Sequence, residues 1–250
     1  MNGPIAFIIS WQRPLYLWAC LDSLYRHTKV PCRFVLIDNA SADPVVHQVI
    51  EAFEARGLFY RVHKRSENSS RALPEAIKAY AESGELSDYF CKIDGDVVVL
   101  PGEPCWLGRF MQVAESNPKL AMLGSLVDKS DFVDPVWAAK RFPGITPEQL
   151  SFLVKDKSPE RKLQEDYSEP LIDPFNPPGR LMYLKREMIE RGGLLRDKLL
   201  YESAKRLGYE AAIVTSVRHR HLSFQNLYDY PEIDVAGRNQ FFKGLEGQGR

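Results

Sequence analysis

Asp94-Gly95-Asp96 sets two carboxylates one residue apart where the apolar run Tyr89-Phe90-Cys91-Lys92-Ile93 gives way to Val97-Val98-Val99-Leu100-Pro101-Gly102. The run reads as a buried strand whose end emerges into a loop. Burying an unpaired carboxylate is costly and two close together repel, so the pair needs solvent, a cation or hydrogen-bond donors. Alternate side chains of an extended chain point the same way, which would turn both acids towards one hard divalent ion. Gly95 leaves space for a ligand to approach the backbone. Asp-Gly is also a common hairpin dipeptide, so a plain turn competes for the tripeptide taken alone.

Elements that position such a pair follow from the hydrophobic pattern. Ile5-Ala6-Phe7-Ile8-Ile9 and Phe34-Val35-Leu36-Ile37 are continuous apolar runs, the mark of strands covered on both faces. Leu58 to Val62, the run ending at Asp94, Leu120 to Ser125 and Ala211 to Val217 supply further strands, with regular structure also at Arg180 to Leu184. Helices are expected from Pro14, with Leu17, Trp18, Leu21 and Leu24 inward, and over Val45 to Ala55, Leu73 to Glu82, Trp106 to Ser116, Arg186 to Arg191 and Lys198 to Leu207. This βαβα order predicts an α/β fold with a mostly parallel central sheet and helices on both faces. Ligands of such sheets bind beyond the carboxyl ends of the strands. From Asp128 to Pro178, proline and charge predict an insertion of loops and short helices, such as Pro147 to Val154. One domain is expected, with halves at 1–127 and 128–222 and a surface tail at 223–250.

Composition excludes several classes. The 250 residues are 44% hydrophobic and 26% charged, ordinary for a soluble globular chain able to bury a large core. Thirty-three basic and 33 acidic side chains cancel, which gives no electrostatic reason to expect nucleic acid. No apolar run reaches the length of a membrane span and Met1-Asn2-Gly3-Pro4 leads into a strand without a signal pattern, so a cytoplasmic protein is expected, with peripheral membrane contact left open. Cys20, Cys32, Cys91 and Cys105 lack zinc-like spacing and read as reduced thiols.

Three polar clusters fall at strand ends: Ser10-Trp11-Gln12-Arg13-Pro14, Asp38-Asn39-Ala40-Ser41 and Asp94-Gly95-Asp96. The segment from Ile8 to Leu17, then Cys20-Leu21-Asp22-Ser23-Leu24, then Val35 to Asp43, resembles the nucleotide-binding half of family-2 glycosyltransferases, and Asp94-Gly95-Asp96 resembles their DxD motif. Gly179 to Arg186 and Gly192-Gly193-Leu194-Leu195 are similar to the acceptor-side segment of that family. The resemblance covers roughly residues 5–125 and 179–221.

The resemblance implies a GT-A fold, a Rossmann-like nucleotide-binding architecture, with a nucleotide sugar held through Mn²⁺ or Mg²⁺. A cation there neutralises the diphosphate and favours its departure. Asp96 is then the metal ligand, with Asp94 on ribose or on a water of the ion. Ser10, Gly95, Arg13 and Arg71 are candidates for nucleotide or phosphate contact. Asp38 would accept a base N–H, an imide if the base is uracil, or else form an Asx turn at its strand end. Trp11 would stack on the base or pack in the core. Asn68-Ser69-Ser70 stands where relatives carry a glycine-bearing stretch.

Counting back from Leu207-Gly208-Tyr209, Asp197 aligns with the family's catalytic acid, Arg196 replaces the Glu before it, and Glu202 is a fallback. Asp197 is equally suited to cap the helix that follows it. His219 and His221 share a face of an extended strand, with His219 the preferred further metal ligand and His221 the second choice.

The resulting expectation is a metal-dependent, inverting glycosyltransferase that moves a sugar from a nucleotide sugar, UDP-linked by preference, to a hydroxyl of a glycan or other glycoconjugate. A non-catalytic carbohydrate- or nucleotide-binding protein on the same scaffold is the alternative. A sugar nucleotidyltransferase is disfavoured because Ser10 to Pro14 lacks the glycine-rich basic loop it needs.

Overall fold

In the computed structural model, residues 3–131, 134–144, 146–148, 150, 170–172, 179–194 and 197–222 are described. The expected helix over Pro147 to Val154 lies mostly outside them, as does the tail after Leu222. The first apolar run forms β1 (Ile5–Ser10), followed by α1 (Pro14–His27), β2 (Arg33–Asp38), α2 (Pro44–Ala55), β3 (Phe59–Lys64), α3 (Ala72–Glu82) and β4 (Tyr89–Asp94). A short strand β5 (Val97–Val99), α4 (Trp106–Ser116) and β6 (Leu120–Val127) come next. Then follow α5 (Pro135–Arg141), β7 (Leu171–Ile172), β8 (Leu181–Lys185), α6 (Arg186–Gly192), α7 (Asp197–Arg206) and β9 (Glu210–His221).

Among the described residues the strands form one sheet in the order β3-β2-β1-β4-β8-β6-β9-β5, with β7 on β9. Alternation along β1 explains its unbroken apolar run. Ala6 and Ile8 pack into a cluster with Leu17, Leu21 and Leu24 of α1, Ile50 and Phe53 of α2, and Trp106 and Phe110 of α4. Ile5 and Phe7 face the opposite cluster, with Leu73, Ile77 and Tyr80 of α3, Met188 of α6 and Leu200 of α7. The sheet is the middle of three layers, and each fully buried Leu or Ile contributes about 1.5–3 kcal/mol. Trp18 departs from the expected inward set. It is 47% exposed, because Leu17, Cys20, Leu21 and Leu24 already complete the inner face of α1.

The sheet is mixed, where a mostly parallel one was expected. β1–β2, β2–β3, β1–β4 and β6–β9 are parallel, whereas β4–β8, β6–β8, β5–β9 and β7–β9 are antiparallel. The alternation of strands and helices sets direction only where a helix carries the chain back across the sheet. The stretch between β6 and β8 starts and ends at the same rim, since Asp94 N–H donates to Arg180 C=O just before β8. β8 must therefore run back down between β4 and β6.

β9 breaks register with β6 between Ser125 and Leu126, whose partners are Val214 and Arg218. The irregularity turns the end of β9 towards β5, where His221 pairs with Val97 and His219 with Val99.

Gly95 is needed where β4 ends beside β1. Its N–H donates to Ile9 C=O at 2.9 Å, and a Cβ there would stand 2.9 Å from that same oxygen and 3.4 Å from Ser10 Cα. The contact is with backbone, which cannot swing aside. Gly95→Ala is therefore expected to cost about 1–3 kcal/mol and lower Tm by roughly 2–10 °C. Calorimetric melting of the variant checks this, and an unchanged Tm would show that the two strand ends are not in fixed contact.

Candidate functional site

β1 is the switch point of the sheet: the chain passes from it to β2 and β3 on one side and later to β4 on the other. Loops leaving β1 and β4 diverge there, and the crevice between them is where such sheets bind ligands. A cleft of about 290 Å³ occupies it, lined by Ile9, Ser10, Trp11, Gln12, Arg13, Tyr16, Asp94, Gly95, Asp96 and His221.

Asp96 is the electrostatic focus. Arg13 Nη1 donates to its Oδ2 at 3.4 Å, and His221 Nε2 stands 3.4 Å from its Oδ1. Burial alone would raise its pKa, but the hydrogen bond and charge from His221 and the charge of Arg13 outweigh that and hold the carboxyl below its ordinary range. Asp94 has a different partner, Lys92 Nζ at 3.2 Å from its Oδ1, and the same ammonium donates to Gly179 C=O. The two acids were expected to share a direction, as on an extended strand. The chain instead turns at Gly95 and Asp96, so Asp94 meets a cation of β4 while Asp96 faces Arg13 and the end of β9.

Both histidines project from β9, yet their positions reverse the expected preference. His219 is fully buried, with Nδ1 2.7 Å from Ser125 Oγ, one step inside the rim. His221, at the last residue of the strand, is the imidazole that reaches Asp96. Asp131 secures it from beneath: this buried carboxylate accepts the His221 backbone N–H and Arg220 Nε at 3.3 Å.

The rim loops of β1 and β2 are tied together. Ser41 Oγ accepts Gln12 N–H at 2.8 Å, Gln12 Oε1 accepts Asp43 N–H at 3.1 Å, and Ser10 C=O accepts Asn39 N–H at 2.8 Å. Gln12 and Arg13 have φ of 55° and 58°. Left-handed backbone at two successive non-glycine residues costs about 1–3 kcal/mol each and persists only where surroundings enforce it. Here it aims the Arg13 guanidinium at Asp96.

Asp38 forms the Asx turn, its Oδ1 accepting Ser41 N–H at 3.2 Å. It is buried and is not among the residues lining the cleft. Trp11 is half-buried and lines the cleft, and among the described residues its Nε1 has no hydrogen-bond partner. Arg71 is exposed at the start of α3 and is not part of the cleft. Asn68 and Ser69 bind Asn39: the Asn39 amide donates to Asn68 Oδ1 at 2.6 Å and accepts Ser69 N–H at 3.0 Å. Asp197 is the first residue of α7, and its side chain lies outside what is described. Glu202 is exposed and 3.9 Å from Lys198.

Sequence reading assigned no role to Gln12, Tyr16, Ser41, Lys92 or Asp131. Gln12 and Ser41 lay inside two of the marked clusters and Lys92 two residues before Asp94 on its strand, while Asp131 acts through pairing across the sheet, for which no local motif exists.

Among the described residues no three His, Cys, Asp or Glu side chains converge as a preformed metal site. The donors that are present suit a different kind of binding. Cis ligands of an octahedral ion at about 2.1 Å stand about 3 Å apart, close to the Asp96–His221 spacing, and Mg²⁺-like ions take one or two carboxylates with the rest from water and phosphate. Asp96 and His221 thus fit an ion that arrives with a diphosphate.

Residues 6–190 match the family described as Glycosyl transferase family 2, and the chain belongs to that family. No functionally curated protein matches it. Among solved structures, the mannosyltransferase PcManGT from Pyrobaculum calidifontis, in complex with GDP-Man and Mn²⁺, is 16% identical with a TM-score of 0.57, over 86% of this chain and 55% of its own. GalNAc-T7 with UDP, GalNAc and Mn²⁺ is also 16% identical, with a TM-score of 0.58 over 88% of this chain and 43% of its own. Residues 1–349 of S. aureus TarS are 12% identical, with a TM-score of 0.56 over 91% of this chain and 62% of that one. These likenesses show a GT-A-like α/β fold, and this chain spans only about half the length of the chains it matches.

The lowered Asp96 pKa carries a linkage consequence. A carboxylate whose folded pKa is depressed adds stability above its unfolded pKa and loses it as pH falls through the folded value. Wild type should therefore melt above Asp96→Asn at neutral pH, and the gap should close as the pH drops below the ordinary 3.8. Paired thermal melts from neutral to acid pH measure it, and a gap that does not vary with pH would contradict the pairing.

Proposed function

We propose that this chain is a metal-dependent, inverting glycosyltransferase that moves a sugar from a nucleotide sugar, UDP-linked by preference, to a hydroxyl of a glycan or glycoconjugate. The observation that carries the reading is Asp96 between Arg13 and His221 in the crevice at the ends of β1 and β4. Family membership supports transfer chemistry, and the acid, base and guanidinium are the groups a diphosphate leaving group needs. Asp96 with His221 would hold Mn²⁺ or Mg²⁺, which supplies neutralising charge to the departing nucleoside diphosphate.

In this reading Arg13 meets a phosphate oxygen once released from Asp96 Oδ2, adding a mobile positive charge beside the leaving group. Asp94 accepts a ribose hydroxyl beside its ion pair with Lys92. Trp11 gives the base an apolar face, and Ser10 and Gly95 let the nucleotide lie against backbone. Asp38 accepts the base N–H. Asp197, at the start of α7, takes the acceptor's proton as general base.

Donor contacts come from 1–127 and acceptor contacts from 128–222. We place the enzyme in the cytoplasm, which the four free cysteines support.

Two measurements test the reading. Saturating UDP with Mn²⁺, at about 100-fold Kd, should raise Tm by about 5–10 °C, and neither UDP nor Mn²⁺ alone should match it. Asp96→Asn should abolish both that shift and sugar transfer. Asp197→Asn should keep the shift while kcat falls about 10²–10⁴-fold. Nucleotide binding without any transfer or donor hydrolysis would favour a non-catalytic binder on this scaffold, and wild-type turnover in Asp96→Asn would defeat the metal assignment.

A further inference from the structure

The side-chain amide of Gln12 is held in one orientation. Asp43 N–H can only donate, so the atom facing it at 3.1 Å is the amide oxygen and the nitrogen is the other arm. Gln12 is 2% exposed and lines the cleft. Among the described residues its Nε2 has no hydrogen-bond partner. A buried amide N–H is seldom left without an acceptor, and in a ligand cleft the ligand is the natural source of one. Its strand-end cluster is marked in the sequence but Gln12 itself is given no role there, and the transfer scheme above does not use it.

We propose that Gln12 Nε2 donates to a carbonyl oxygen of the nucleobase and makes the rim of β1 a reader of the base's carbonyl edge. The inference rests on the nucleotide-sugar reading above and adds how the base is chosen. The β2 rim braces the residue: Ser41 Oγ accepts Gln12 N–H at 2.8 Å, and Ser41 N–H is itself held by Asp38 Oδ1 at 3.2 Å.

The rim therefore offers the cleft a donor-only N–H arm. Uracil presents O4 and guanine presents O6 to such a donor. Cytosine and adenine present an exocyclic amine at the same place, which sets donor against donor. A neutral amide also suits a carbonyl better than a phosphate, whose charge calls for a cation such as the Arg13 guanidinium.

The test uses Gln12→Glu, which keeps an oxygen facing Asp43 N–H and replaces only the donor. Titration calorimetry without metal gives Kd for UMP, CMP, GMP and AMP. Wild type should favour UMP over CMP, or GMP over AMP, by tenfold or more. In Gln12→Glu that ratio should fall by tenfold or more, because the lactam nucleotide weakens while its partner does not. Gln12→Met, which loses the Asp43 hook as well, should show the same collapse of the ratio.

Parallel weakening of all nucleotides in both variants, as a purely structural bridge would give, overturns the proposal. So does an unchanged ratio in Gln12→Glu while wild type still binds UDP with Mn²⁺, an outcome that leaves the transferase reading standing. Near-equal wild-type affinities for UMP and CMP and for GMP and AMP overturn it without any variant. Wild type that binds no nucleotide, either alone or with Mn²⁺, ends both readings together.

Discussion

The backbone contact between Gly95 and Ile9 governs the arrangement of everything around it. A single N–H···O=C bond at 2.9 Å fixes the end of β4 against the end of β1, and it leaves no volume for a side chain. Because β4 stops there, the chain turns at once, and the second acid of the motif leaves the strand direction. Asp96 thereby comes between a residue of the β1 loop and a residue of β9. Had β4 continued extended, both acids would point the same way and repel without compensation.

The other half of the sheet completes the site through its irregularities. β8 enters from the same rim at which β6 leaves, so the sheet cannot remain parallel, and β9, 12 residues long, pairs first with β6 and then with β5. Its slip against β6 between Ser125 and Leu126 swings its last residues onto β5. His221 arrives at Asp96 for that reason, with Asp131 holding the backbone beneath it. His219, two residues earlier, is absorbed into the interior beside Ser125. A residue of the cleft and a residue of the core thus differ by one step along the same face of the same strand.

Hydrophobic runs made the helices and every strand but β5 legible in the first 125 residues; β5, only three residues long, was read as part of a loop. Two-sided burial leaves a continuous apolar signature, and α1, α2, α3 and α4 carry clear inner stripes. The three polar clusters at strand ends were legible too, because an α/β sheet confines ligand chemistry to that rim. Trp18 was misjudged since indole is apolar by type, while its position on α1 lies beyond the stripe that Leu17, Leu21 and Leu24 complete. The direction of β8 was not legible: its five residues look alike in either orientation, and only the rim at which the chain re-enters decides. The partners of Asp94 and Asp96 were hidden for a related reason. Lys92 stands two residues from Asp94 on the same face of β4, a spacing that strand alternation allows but that was not used, whereas His221 is 125 residues from Asp96 and no local pattern reaches it.

Gln12 and Arg13 sit in a backbone conformation that glycine adopts at no steric cost. Selection for heat resistance alone would drift towards glycine at both places, and the protein would shed backbone strain together with a guanidinium and an amide from its cleft. Directed evolution of this scaffold therefore meets two adjacent positions where durability and ligand recognition pull in opposite directions, and a library scored only by melting temperature would select against the cleft it meant to preserve.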